Sequence, residues 1–163
     1  DLVRSRGLGD VYKRQGYNYR MSNIVAGIGR GQLEVIEERV QRRRAINRWY
    51  HKILAKVPGI SFCNEPSDEY FSNCWLTCIL IDPEKTGTDR KKLQLTFDAA
   101  NIETRPLWKP MHMQPVFKAC PAYTNGTAEK LFEYGLCLPS GSNLTETELS
   151  RILEVLTSEF HIK

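Results

Sequence analysis

Apolar positions in this chain recur first at helical spacing and then at strand spacing. From Ser22, a suitable N-cap, the residues Ile24, Val25, Ile28, Leu33, Ile36, Val40 and Ile46 fall mostly on one side of a helix. The pattern runs to about Leu54, before Pro58-Gly59 ends it. It predicts one helix roughly 45 Å long at ~1.5 Å per residue, of the kind that connects two domains or lines a subunit interface. Beyond it the period shortens. Ile60-Ser-Phe62 is a strand candidate, and Cys74-Trp-Leu-Thr-Cys-Ile-Leu-Ile81 is a β-prone run closed by Asp82-Pro83. Residues 89–100 read as a helix, and Thr104-Arg-Pro-Leu-Trp108 as an extended segment fixed by Pro106 and Pro110. Residues 115–120 and 127–134 read as short helices, and Gly135 to Pro139 as a short strand. Thr145 and Glu148 form a capping box ahead of Leu149, Ile152, Leu153, Leu156 and Phe160. The order predicts an α+β unit with a few strands covered by helices.

Gly27, Gly29 and Gly31 interrupt the long helix, each at a cost of about 1 kcal/mol relative to Ala. Their G-x-G-x-G spacing is not that of a dinucleotide loop, and no buried strand precedes them. Close packing of another backbone against Gly27 and Gly31 is the better reading.

Residues 1–15 (DLVRSRGLGDVYKRQ) show neither period nor cap and resemble translated sequencing-adapter sequence. They are set apart as a non-native leader. The expected organisation is then 1–15 leader, 16–57 end of a larger domain with the connecting helix, and 58–163 a small α+β domain. Setting the leader aside removes two of the four net positive charges. The basic run from Arg39 to Arg48 sits beside Glu37 and Glu38, which suits a solvated helix face rather than a nucleic-acid patch. No apolar run reaches the ~20 residues of a membrane span. The five cysteines are irregularly spaced, so a reducing cytoplasm is expected rather than a disulfide framework.

Few residues suggest chemistry by themselves. Gly16-Tyr-Asn-Tyr-Arg-Met-Ser22 places Asn18 and Arg20 where a helix start collects unpaired N–H groups and positive dipole, a place to hold an anion. His112 sits in a proline-fixed loop near Arg105, Trp108 and Lys109. His51 and His161 read as surface residues. Cys74 and Cys78, four apart, lack the second ligand pair of a metal site and read as small buried hydrophobes; no metal is expected. Ser140-Gly-Ser142 lacks a nucleophile-elbow context and reads as a turn.

The segment Gly16-Tyr-Asn-Tyr-Arg-Met-Ser22, followed by Ala26-Gly-Ile-Gly and Gln32-Leu33, resembles the N-Y-R-M … A-x-x-G … Q-L signature of the DegT/DnrJ/StrS family of pyridoxal-phosphate-dependent nucleotide-sugar aminotransferases. Ile102-Glu-Thr-Arg-Pro-Leu-Trp-Lys-Pro-Met-His112 is similar to that family's T-R-P-x-W loop, and Leu136-Cys-Leu-Pro-Ser140 to its L-P-S strand. Together they resemble the branch acting on UDP-linked 4-keto-6-deoxy N-acetyl sugars of bacillosamine-type pathways.

The resemblance implies an aspartate-aminotransferase-like fold of type I. This chain would be the end of its large domain and its small C-terminal domain. It implies pyridoxal 5'-phosphate as cofactor, a UDP-sugar substrate and an amino-acid donor, glutamate by family resemblance. It also implies a homodimer with shared active sites in the cytoplasm, with neither nucleic acid nor membrane as partner. Asn18 would bond the cofactor phosphate in the partner's site. Arg20 and His112 would bind the sugar nucleotide, and Arg105 and Trp108 would shape its pocket. The Schiff-base lysine is expected upstream of the N-Y-R-M segment, so the chain is expected to be inactive alone. A non-catalytic binding or dimerisation module stays open, as does a sugar dehydratase relative carrying histidine in place of that lysine.

Overall fold

The computed structural model describes residues 20–162, and the chain divides into two compact units, one ending at Val35 and one beginning at Ile36. In the first, helix α1 spans Asn23–Glu34, capped by Ser22, whose Oγ accepts the Val25 N–H at 3.3 Å. At Val35 the backbone leaves helical geometry (φ −116°, ψ 4°) and its N–H turns back to the carbonyls of Gln32 and Leu33. The single rod expected from 22 to 54 is therefore two helices. No residue of α1 is buried, and Ile24, Val25, Ile28 and Leu33 are all exposed. A Cβ added at Gly27, Gly29 or Gly31 would meet nothing within 4 Å. The leader lies outside the described residues.

The second unit begins with α2 (Ile36–Leu54), followed by β1 (Ile60–Phe62), β2 (Thr77–Ile81), the single turn α3 (Pro83–Thr86) and α4 (Arg90–Ala99). Then come β3 (Arg105–Pro106), two 3-10 turns at Met111–Met113 and Pro115–Phe117, α5 (Thr127–Tyr134), β4 (Gly135–Leu138) and α6 (Glu146–Phe160). The strands form one sheet in the order β1-β2-β4-β3, each neighbour antiparallel. Strand period 2 sends Thr77, Ile79 and Ile81 of β2 to one face. There they join Leu136 and Leu138 and are covered by Ile46, Tyr50 and Leu54 of α2, Leu93 and Phe97 of α4, and Leu149, Ile152 and Leu156 of α6. Each fully buried Leu or Ile contributes about 1.5–3 kcal/mol.

The compact unit starts earlier than the boundary expected at 58. The α2 positions Ile46, Tyr50 and Leu54, four apart, are part of its core and cannot be divided from it. The Tyr50 hydroxyl donates to the Pro139 carbonyl at 2.8 Å, so its burial leaves no donor unpaired.

Within the arginine run on α2, Arg39 and Arg48 are exposed, but Arg42, Arg43 and Arg44 are half-buried and held by distant segments. Arg42 donates to the Leu144 carbonyl at 2.7 Å, and Arg43 to the carbonyls of Trp75 and Ser140. Arg44 takes the Ser72 carbonyl and Glu65 and lies over the Phe71 ring. Arg42 also reaches the Glu146 carboxylate at 3.6 Å.

Other differences are local. The β-prone run enters the sheet only at Thr77, because Cys74 has φ 48° and turns the chain. Residues 115–120 give a 3-10 turn rather than a helix. Pro106 sits on the edge strand β3, where its missing N–H breaks no ladder. At Gly135, where α5 passes into β4, a Cβ would overlap Leu107 Cδ1 and the Leu131 carbonyl. Among the described residues no helix is long and apolar enough to cross a membrane.

Candidate functional site

The loop from Glu103 to His112 leaves the sheet along its edge, and β3 fixes its start by pairing Arg105 with Cys137 and Pro106 with Leu136. The Leu107 N–H adds a bond to the Gly135 carbonyl at 3.1 Å. Prolines at 106 and 110 then limit the backbone to extended geometry. This anchoring presents Arg105 and Trp108 together on one groove of about 510 Å³, which Trp75, Thr104, Lys109 and Phe132 also line. The rings of Trp75 and Trp108 tilt at 34° with centroids 6.0 Å apart, and both are more than half exposed. Arg105 is exposed and pairs with Glu103, its Nε donating to Oε1 at 2.6 Å. Thr104 is 3% exposed, and its Oγ1 has no hydrogen-bond partner among the described residues.

Trp75 was not marked by sequence reasoning. It stands in a run read as a buried strand, whereas residues 74–76 form a turn held by Arg43 on the Trp75 carbonyl at 2.6 Å. Ser140 is structural: its Oγ accepts the Thr77 N–H and donates to the Leu138 carbonyl, each at 2.8 Å.

His112 faces a different space. It lies in the first 3-10 turn and lines a cavity of about 290 Å³ with Met111, Phe117, Cys120 and Tyr123. Its Nε2 is 2.8 Å from Glu129 Oε1, close enough for an ion pair, although the angle is not that of a hydrogen bond. Glu129 is in the first turn of α5, and its carboxyl is held below the ordinary carboxylate range. The main cause is the backbone N–H at its own position; burial opposes, and Thr124 and His112 add to the lowering. An acidic residue in a first helical turn was the available signal for Glu129. His51 is not a plain surface residue: it stacks on Phe62 with centroids 3.7 Å apart, and burial lowers its pKa.

Of the residues implicated by sequence, the structure therefore joins Arg105 to Trp108 and sets His112 in a neighbouring loop cavity. Arg20 is exposed two residues ahead of the Ser22 cap and belongs to the N-terminal unit. Asn18 lies outside the described residues. The start of α1 has the first-turn N–H groups that suit a phosphate. A lysine poised for a Schiff base must be desolvated or crowded by charge, and the described lysines, from Lys52 to Lys130, are all exposed.

Comparison with known proteins gives this geometry a context. The sequence model of the DegT/DnrJ/EryC1/StrS aminotransferase family matches residues 3–157, beginning inside the stretch set apart as a leader. EpsN of Bacillus subtilis, named as a pyridoxal phosphate-dependent aminotransferase, is 45% identical over 150 residues, covering 90% of this chain and 38% of EpsN. GDP-perosamine synthase of Caulobacter vibrioides is 31% identical over 166 residues, covering 95% of the chain and 43% of that protein. Among solved structures, PseC of Helicobacter pylori, an aminotransferase in pseudoaminic acid biosynthesis, superposes with a TM-score of 0.78 at 19% identity. That match covers 91% of this chain and 40% of PseC. DesV of S. venezuelae gives 0.76 at 24%, over 96% of this chain and 42% of DesV. The chain spans about two fifths of the proteins it matches.

Proposed function

This chain belongs to the DegT/DnrJ/EryC1/StrS aminotransferase family, and we propose from that premise that it is the C-terminal part of a sugar aminotransferase. The whole enzyme moves an amino group from an amino acid, glutamate being the expected donor, to the 4-keto group of a UDP-linked deoxy sugar. The observation that carries this reading is the 45% identity to EpsN along nine tenths of the chain. The folded Glu103–His112 loop supports it, since it keeps Arg105 and Trp108 on one open groove.

Pyridoxal phosphate, when bound, supplies the electron sink that lets an amino group leave one carbon and join another. The residues of this chain bind and orient. Asn18 and the start of α1 meet the cofactor phosphate, in the site of a second subunit. Arg20 offers a planar fork to diphosphate or sugar oxygens. Arg105 and Trp108 shape the substrate groove, and His112, held beside Glu129, lines the neighbouring loop cavity. The exposed apolar residues of α1 support assembly as a homodimer with shared sites, because an uncovered stripe of this kind marks a surface that another chain or domain covers.

The test is to express the full reading frame and incubate it with glutamate and a UDP-linked 4-keto-6-deoxy N-acetyl sugar. The amino sugar should appear by mass spectrometry. A GDP-linked sugar is the competing substrate, because a relative is named GDP-perosamine synthase. A cofactor-loaded protein that aminates neither sugar overturns the proposal.

A further inference from the structure

Two side chains in the middle of the sheet have no part in the proposed amino transfer. Cys78 on β2 and Cys137 on β4 stand directly opposite each other in the antiparallel register, and their Sγ atoms are 3.7 Å apart. Both are free thiols. Because Thr77 and Ile79 point into the helix-covered core, alternation turns Cys78, and Cys137 with it, to the opposite face of the sheet. On that face Cys137 lines the groove of Trp75, Arg105 and Trp108.

A disulfide needs its sulfurs about 2.05 Å apart and its Cβ atoms about 3.5–4.5 Å apart. Directly opposed residues of an antiparallel pair already hold their Cβ atoms about 4.5–5.5 Å apart. Closing the bond thus asks for a side-chain rotation and a small approach of two strands, without any change of register. The other cysteines have no such partner in the register: Cys63 and Cys120 are exposed outside the strands, and Cys74 sits in the turn before β2.

We propose that Cys78 and Cys137 form an oxidation site, converted by a small two-electron oxidant of the peroxide class into a disulfide across the centre of the sheet. In the first step the Cys137 thiolate attacks a peroxide oxygen. The O–O bond breaks, hydroxide leaves and takes up the proton the thiol gave, and Cys137 becomes a sulfenic acid. In the second step the Cys78 thiol attacks that sulfur. The S–S bond forms, the S–O bond breaks, and the Cys78 proton departs with the hydroxyl as water. Two thiols and one peroxide thus give one disulfide and two waters. The hydrogen bond between the two sulfurs favours this order, lowering the pKa of Cys137 and, with burial, raising that of Cys78. Cys137 is only 5% exposed, which selects a small oxidant over a bulky disulfide reagent.

The pairing does not rest on the proposed amino transfer, because a peptide map reads it without any assay of activity. The experiment treats the full chain carrying C63S, C74S and C120S with hydrogen peroxide under native conditions, then digests it without reduction. The expected result is one peptide linking 78 to 137, with both thiols lost together and both restored by dithiothreitol. C78S in the same background should leave Cys137 unlinked. The unsubstituted chain, mapped in parallel, covers the case in which the triple variant does not fold, and it should show the 78–137 link ahead of any other pairing. Two thiols that alkylate independently with no linked peptide overturn the proposal. So does a link that forms only in denaturant.

Discussion

Helices α1 and α2 follow each other in sequence and carry similar apolar stripes, yet among the described residues only the stripe of α2 is buried. In α2, Ile46, Tyr50 and Leu54 are at most 1% exposed and join the core of the sheet unit. In α1, Ile24, Val25, Ile28 and Leu33 are each more than half exposed. Apolar periodicity therefore identifies a helix face that must be covered, without saying by what. For α2 the cover is the sheet. For α1 it is not among the described residues, which agrees with a chain that spans about two fifths of the relatives it matches.

The sharpest way to break this comparison is to truncate one side chain from each side of it. Leu54→Ala empties a fully buried position of α2 under the sheet and should lower the stability of the chain by about 2–5 kcal/mol in urea denaturation. Ile28→Ala should change it by no more than about 0.5 kcal/mol, as for an exposed site. Equal losses would show that α1 packs as α2 does. A smaller effect tests the polar side of the α2 core. Tyr50→Phe keeps the ring and removes the donor to the Pro139 carbonyl, and it should cost about 1 kcal/mol by the same measurement.

The two helices also show what a sequence can disclose. Elements that bury an alternating or helical stripe within this chain were legible: β2, β4, α4 and α6 stand close to where periodicity put them. The break at Val35 was not, because no Pro or Gly marks it and the stripe continues in register across it. The site was legible in part. Arg105 and Trp108 sit in a proline-fixed loop whose local geometry is written in its residues. Trp75 and Glu129 reach their places through long-range contacts, the first through Arg43 and the second through the packing of α5 beside His112. The cysteine pair depends on β2–β4 register, which no spacing along the chain encodes.

The helix caps extend the comparison to its smallest effect. Ser22 caps α1 in one direction only: its Oγ accepts the Val25 N–H, and a valine at that position returns nothing. Thr145 caps α6 in both directions, its Oγ1 accepting the Glu148 N–H at 3.3 Å and its own N–H donating to Glu148 Oε2 at 2.7 Å. The Thr145 backbone N–H, and then its hydroxyl, hold the Glu148 carboxyl below the ordinary carboxylate value, with burial opposing. A folded-state pKa lower than the unfolded one, about 4.3 for Glu, gives stability that is complete above the unfolded value. That stability is lost as pH falls through the folded one. Glu148→Gln keeps an acceptor for the box and removes the titration. The wild type should therefore lose stability relative to the Gln variant between neutral pH and pH of about 3, read as a narrowing gap between their urea midpoints. A gap that stays constant with pH would mean that the charge of Glu148 contributes nothing to the cap. The α6 box would then act as a neutral hydrogen-bond cap, no different in kind from the one at Ser22.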